Sequence, residues 1–208
     1  MNYSSLVTQI KNFLEDDSAE FAASIDSIIA QAEEMIFQRL PNLPCFRKSH
    51  NGNLIAGTAD YTIAGARIIR QVSITHSGGS IYYIDHRIDS YLRDYHPSAT
   101  TQGVPSMYST KTSPATGTTI TLGPVPNSTN VFQVDYIAPE TGLSSSNTST
   151  WIGNNLENVL LSACLYESSA FLKAPETVQL YKAQFDESIQ SSQQEMLRDW
   201  ASEYNGGI

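Results

Sequence analysis

The fold of this chain turns on one junction, Gly142-Leu143-Ser144-Ser145-Ser146-Asn147-Thr148-Ser149-Thr150-Trp151. This run is polar, rich in turn-forming residues, and ends on a tryptophan. Short alternating strands are predicted before it, and helical patterns follow it at residues 155–172 and 175–200. We therefore interpret the junction as a hinge between unlike modules.

Two more helices are predicted at the N-terminus. The first covers Tyr3 to Leu14, with Ser4 or Ser5 as its cap, and the second begins with a capping-box-like pair, Asp17 and Glu20. The later helix at 155–172 is apolar on two faces, so we expect it to be the central helix, packed from both sides.

From residue 46 the hydrophobic period changes from helical to two. Examples are Val72 with Ile74, Ile120 with Leu122, and Phe132 with Val134 and Tyr136. Such alternation indicates antiparallel strands with one buried face, and residues 87–95 predict one brief helix among them. We therefore predict an α+β fold. A helical bundle formed by the N- and C-terminal helices (1–45 and 146–208) carries an inserted antiparallel β-sandwich or barrel-like module (46–145).

Charge is divided unevenly between these modules. The net charge is −9, made up of +1 over residues 46–140 and −10 over the rest. A protein that grips duplex DNA needs a basic face to release phosphate counterions, and these acidic helices cannot supply one. Two interpretations stay open: a solvated helix surface, and a wall past which DNA slides without binding.

Composition also limits cofactors and location. Cys45 and Cys164 lie far apart in sequence, without metal-site or redox-motif spacing, which indicates buried thiols in a reducing cytosol. No segment has the length and apolarity of a secretory signal core or a membrane span. We therefore expect a soluble protein made in the cytosol, with no cofactor, metal or membrane partner.

Few residues could support catalysis or sugar binding. Asp85 and His86 could form a general-base pair, but a surface turn with ordinary ion pairs explains them better, so we predict no enzyme activity. The candidate carbohydrate platform consists of tyrosines, namely Tyr82, Tyr83, Tyr91, Tyr95 and Tyr108. Such tyrosines more often pack strands and protein interfaces.

The order of short motifs along the chain resembles the head-to-tail adaptor proteins of tailed phages. The matching segments are Arg39-Leu40, Phe46-Arg47-Lys48, Gly57 to Ile63, Tyr91 to Pro97, Gly103-Val104-Pro105, Leu122 to Pro126, and the junction at 142–151. Two loops depart from the family pattern. Ile63-Ala64-Gly65 lacks a proline, and Gly123 stands at an alanine-like position.

This resemblance implies a structural protein of the virion neck or tail. It implies a dodecameric ring beneath the portal that joins portal to tail and continues the DNA channel. The expected partners are the portal protein, a tail tube or nozzle protein, further copies of the chain, and passing DNA that is not specifically bound. Candidate channel-facing acids are Asp26, Glu33 and Glu34. The alternatives are a carbohydrate- or receptor-binding tail module and a virion-associated hydrolase.

The last helix carries a second apolar stripe. Its core stripe ends at Ile189, a polar run follows at residues 191–194, and then come Met196, Leu197, Trp200 and Tyr204. Because this stripe is separated from the core stripe, we predict a docking arm from about residue 193 that orders against the portal or an adjacent subunit.

Overall fold

The computed structural model describes residues 1–76, 78–98, 100–113 and 116–205, with side chains up to residue 195. The fold is α+β, as predicted. The chain divides into two compact units, the helical unit (Met1–Cys45 and Pro139–Ile208) and the β unit (Phe46–Ala138). The β unit thus ends ahead of residue 145, where the sequence had placed the boundary.

The described residues form six α-helices. These are α1 (Tyr3–Leu14), α2 (Ala19–Arg39), α3 (Asp89–Tyr95), α4 (Trp151–Asn155), α5 (Glu157–Phe171) and α6 (Pro175–Asn205). All but α3 belong to the helical unit. The predicted single helix from residue 155 is preceded by the separate short α4, and the chain leaves helical geometry at Leu156 between them.

The caps of the first two helices differ from the predicted ones by a few residues. Asn2 caps α1 and exchanges hydrogen bonds with Ser5 in a capping box, so Ser5 is the reciprocal partner. Ser18 caps α2 by accepting from the Phe21 N–H. Asp16 in turn accepts from the Ser18 N–H. A hydroxyl can accept the orphan N–H at this position as well as a carboxylate can.

The core of the helical unit is built around α5, which packs against α1, α2, α4 and α6. Its buried residues include Leu160, Ala163 and Cys164. They meet the apolar stripe of α2, in which Phe21, Ile29 and Ile36 are almost fully buried. The prediction that this helix is the central one is therefore confirmed.

Ten strands occur in the described part of the β unit. They are β1 (Arg47–Asn53), β2 (Asp60–Ile63), β3 (Ile68–Thr75), β4 (Ile81–Tyr83), β5 (Asp85–His86), β6 (Gln102–Gly103), β7 (Met107–Ser113), β8 (Gly117–Gly123), β9 (Val125–Pro126) and β10 (Val131–Ile137). They form two four-stranded sheets, ordered β1-β10-β3-β4 and β2-β8-β7-β5, and a two-stranded sheet, β6-β9. Neither four-stranded sheet closes into a barrel within the described residues.

Most strand pairs are antiparallel, as the alternation indicated, and the predicted buried positions are confirmed except for Tyr136. Phe132 lies opposite Ile74 and Val134 opposite Val72 in the first sheet, and all four side chains are buried. Tyr136 is only partly buried. Side chains of both four-stranded sheets join one core cluster. The prediction was wrong for two short pairs, β5 with β7 and β6 with β9, which are parallel.

Among the described helices, none combines the length and the apolar composition that crossing a bilayer would require.

Candidate functional site

The junction is hydrogen-bonded to α2 of the helical unit. The Leu143 N–H donates to both carboxylate oxygens of Glu33 on α2, at 3.0 and 3.1 Å. The Leu143 side chain is itself buried. A Cβ on Gly142 would lie 2.6 Å from the Glu33 carboxylate, so this close approach suits glycine at the start of the junction.

The polar residues of the junction form hydrogen bonds within the segment and with the residue before it. The Asn147 side chain donates to the carbonyls of Thr141 and Gly142, at 2.8 and 3.0 Å. The Ser144 N–H donates to the Asn147 carbonyl at 2.9 Å, and the Ser144 hydroxyl accepts from the Asn147 N–H. The segment predicted as a hinge is therefore a hydrogen-bonded strap, since its serine and asparagine side chains bond locally to backbone groups.

The end of the junction is fixed to the start of α4 and to the N-terminus. Glu140 accepts from the N–H groups of Trp151 and Ile152, at 3.3 and 3.2 Å, and Thr150 accepts from the Gly153 N–H at 3.1 Å. The terminal ammonium of Met1 donates to the Gly153 carbonyl. A carboxylate and a hydroxyl thus satisfy three orphan donors at the helix N-terminus.

Glu33 is electrostatically unusual. Burial raises its pKa to about 7, and the nearby Glu140 charge adds to this rise, while the Leu143 hydrogen bond opposes it. The role of Glu140 and Glu33 in the junction did not emerge from the sequence, because Glu33 and Leu143 are 110 residues apart. The threonine at the cap of α4 was the one local signal.

The three candidate channel-facing acids lie on α2 in different surroundings. Glu33 is partly buried against the junction. Asp26 is exposed and accepts a hydrogen bond from the Tyr3 hydroxyl, which raises the pKa of Tyr3 to about 12. Glu34 is half-buried and accepts from the Gln38 side chain at 3.2 Å. Exposure to a channel stays a prediction for all three.

The docking-arm side chains, those of Met196, Leu197, Trp200 and Tyr204, lie outside the described side chains. The backbone of α6 is helical through Asn205. Packing extends slightly further than the sequence indicated, because Ser192 is buried and bonds to the Ser188 carbonyl. The Gln193 side chain also lies 3.5 Å from the Arg39 carbonyl.

Asp85 and His86 of the β unit make ordinary surface contacts. Asp85 pairs with Arg87 at 3.1 Å. The His86 ring lies 3.2 Å from the Thr110 hydroxyl and packs against Tyr108 at 5.1 Å. The described contacts of Asp85 and His86 therefore lead to different partners and not to each other.

The tyrosines of the candidate sugar platform are divided by burial. Tyr108 is buried in the core, and Tyr82 packs against that core. The remaining three, Tyr83, Tyr91 and Tyr95, are exposed. Of the five candidate tyrosines, two therefore pack in or against the core, as tyrosines in strands often do, and three lie at the surface.

Cysteine and metal chemistry receive no support from the described residues. Cys164 is a buried free thiol, and Cys45 is half-buried. Burial raises the pKa of Cys164, which keeps that thiol protonated. In this part of the chain no three His, Cys, Asp or Glu side chains are grouped to hold a metal ion.

Comparison with known protein families identifies the family of this chain. A family model described as SU10 adaptor protein matches residues 1–206. The match therefore covers nearly the whole chain and includes both units. No curated protein matches the chain.

Proposed function

The chain belongs to the SU10 adaptor protein family, a family of phage head-to-tail adaptors, and we propose that its copies form a dodecameric ring beneath the portal. In this proposal the ring joins the portal to a tail tube or nozzle protein and continues the DNA channel. The observation that carries the proposal is the family match over residues 1–206, because it spans both units. Family membership by itself makes the chain a structural component of the virion.

The distribution of charge supports a ring built from unlike surfaces. The β unit has seven Lys/Arg and five Asp/Glu residues, a net charge of +2, whereas the helical unit has five and sixteen, a net charge of −11. A closed ring requires heterologous contacts, and two unlike units supply two unlike surfaces. We also propose that the two larger sheets form a sandwich, because they share one core.

The acidic helical unit also suits a channel through which DNA passes. A surface with net negative charge does not hold phosphate groups, so DNA would slide without sticking. Asp26, Glu33 and Glu34 are the proposed channel-facing acids. Glu33 has a second role, because its carboxylate holds the junction at Leu143.

The length of α6 supports the docking arm. This helix has 31 residues, whereas α5, against which it packs, has 15. At a rise of 1.5 Å per residue, α6 is roughly twice as long as α5. We propose that its last turns dock on the portal or on a neighbouring subunit, with Trp200 as the anchor, since interface hot spots favour tryptophan.

Light scattering of the purified chain, with and without its portal protein, tests this function. We expect a monomer or small oligomers alone and a ring on the portal, because a ring concentrates the negative charge of the helical units. Electron microscopy of the mixture would then show twelve copies on the portal. A stable compact dimer that ignores the portal would contradict the proposal.

A further inference from the structure

An ordered aromatic surface lies on α3 of the β unit. The Arg87 guanidinium lies over the Tyr91 ring, 5.6 Å from its centroid. The Tyr91 and Tyr95 rings are stacked, with centroids 6.0 Å apart and planes 7° apart. Tyr91 and Tyr95 are four residues apart, which places them on one side of a helix. We call Arg87, Ile88, Tyr91 and Tyr95 the aromatic face.

The aromatic face lies outside the core of the β unit. The side of α3 that enters the core is that of Leu92, which is buried and lies near Gly123. Asp89 fixes the helix by pairing with Arg93 at 2.7 Å and with Lys111 at 3.4 Å.

The side chains of the aromatic face are instead exposed. Exposure is 69% for Ile88, 44% for Tyr91 and 65% for Tyr95. Tyrosine and arginine are enriched at protein interfaces, and side chains that are already stacked lose little freedom on binding. The aromatic face therefore has the composition and order of a protein-binding surface.

The helical unit has a groove whose lining includes apolar side chains and one acidic side chain. It has a volume of about 350 Å³ and is lined by Phe13, Leu161, Leu165, Gln184 and Glu187, with nearby serines of α5 and α6. Phe13 of α1 is 57% exposed and Leu161 of α5 is half-buried, whereas Leu165 is buried. Part of the apolar lining of the groove is therefore left uncovered by the described side chains. We call this the helical groove.

Charge favours a contact between one type of unit and the other. Two helical units, each with a net charge of −11, repel each other, whereas a β unit with a net charge of +2 attracts a helical unit. Locally, the aromatic face carries Arg87 at one end, where it also pairs with Asp85 at 3.1 Å, and the groove carries the exposed Glu187.

We propose that the aromatic face of one copy docks in the helical groove of a second copy. Tyr91 and Tyr95 would then cover Phe13 and Leu161, and Arg87 would approach Glu187. This proposal rests on the proposed ring and names the surfaces through which neighbouring subunits meet. The contact is heterologous, because the two surfaces differ, and it leaves a free face and a free groove for the next copies.

Mixed disulfide formation tests the contact. One protein carries Asp94→Cys, next to the aromatic face, and the other carries Gln184→Cys, in the groove, both with Cys45→Ser. They are mixed at high concentration with oxidised glutathione as the oxidant. We expect a mixed disulfide between positions 94 and 184. In the control pair, Lys182→Cys replaces Gln184→Cys, because Lys182 is also an exposed residue of α6. The control pair should give about tenfold less mixed disulfide, which is equivalent to about 1.4 kcal/mol.

Charge exchange tests the pairing of Arg87 with Glu187. Arg87→Glu in the first protein, or Glu187→Lys in the second, should each lower the yield of mixed disulfide, and the two together should restore it. Tyr91→Ala should lower the yield without rescue. All three side chains are exposed, so thermal unfolding of each variant should match that of its parent.

The outcomes separate this inference from the proposed function. Equal yields in the test and control pairs, or a majority of disulfides between two copies at position 94, would overturn the assignment of surfaces. If either result accompanied a normal ring on the portal, the adaptor function would stand. A mixed disulfide without any ring would leave the contact in place and refute the ring.

Discussion

Replacing Glu33 by glutamine is expected to stabilise the helical unit above neutral pH. The pKa of Glu33 is raised from 4.5 to about 7, so the folded state binds this proton more tightly than the unfolded state. The contribution of this group to stability is therefore fully present below pH 4.5 and is lost as the pH rises through about 7. Above that pH the protein carries the cost of a partly buried charge near Glu140.

The magnitude follows from the size of the shift. A rise from 4.5 to about 7 corresponds to about 3 kcal/mol at most. Because the carboxylate is only partly buried, solvent screening reduces the expected cost to about 1–2 kcal/mol. The glutamine carbonyl can still accept the Leu143 N–H. At pH 8 we therefore expect Glu33→Gln to raise Tm by roughly 2–8 °C, and at pH 4.5 to leave it nearly unchanged.

Tryptophan fluorescence during heating is the appropriate assay, because both tryptophans, Trp151 and Trp200, belong to the helical unit. The measurement is made from pH 4.5 to 8.5 on wild type, Glu33→Gln and Glu34→Gln. The neighbouring Glu34→Gln removes the same charge and should retain the fall in Tm with rising pH. An equal loss of Tm for Glu33→Gln at both ends of the range would refute the reasoning. It would show that the ionised carboxylate stabilises the junction.

Three further results are expected. Deleting residues 196–208 should change Tm by less than about 2 °C but abolish binding to the portal, and Trp200→Ala should cost about 2 kcal/mol of binding, measured by calorimetry. Either unfolding or full portal affinity of the truncated protein would disprove the docking arm. Gly117→Ala should destabilise the β unit by about 3 kcal/mol or more in circular-dichroism melts, because Gly117 has φ +105° and a Cβ would lie 2.3 Å from a backbone carbonyl. His86→Ala should leave virion assembly unchanged, and hydrolysis of peptidoglycan or esters by wild type that this variant loses would overturn the structural assignment.

Local periodicity was sufficient to predict four helices, α1, α2, α5 and α6, and the strands β3, β8 and β10. The stripe of α2 and the alternation around Val72, Ile120 and Phe132 were visible because burial repeats every 3.6 residues in a helix and every two in a strand. The brief helix predicted at residues 87–95, before Pro97, corresponds to α3. The order of short motifs also sufficed to indicate the adaptor family, which the match over residues 1–206 shows.

Contacts between residues that are far apart in the chain could not be predicted from the sequence. The junction gave the signals of a flexible hinge, because serine, asparagine and glycine favour turns whether or not a partner is present. Only the tertiary structure places Glu33 against Leu143 and Glu140 against the start of α4. The parallel pairing of β5 with β7 could not be predicted from the sequence either. The alternation of residues in a strand indicates which side chains are buried, but it does not indicate which strand lies beside it.

The sequence by itself therefore determined every described α-helix except α4, the strands β3, β8 and β10, the contrast in charge between the units, and the family. The tertiary structure alone decided that the junction is a strap and that Glu33 carries a raised pKa. It also decided that Arg87, Tyr91 and Tyr95 form an exposed, ordered face. The physical reason is that periodicity and composition are properties of neighbouring residues. Burial of a carboxylate, stacking of rings and the depth of a groove depend on chain segments that only folding brings together.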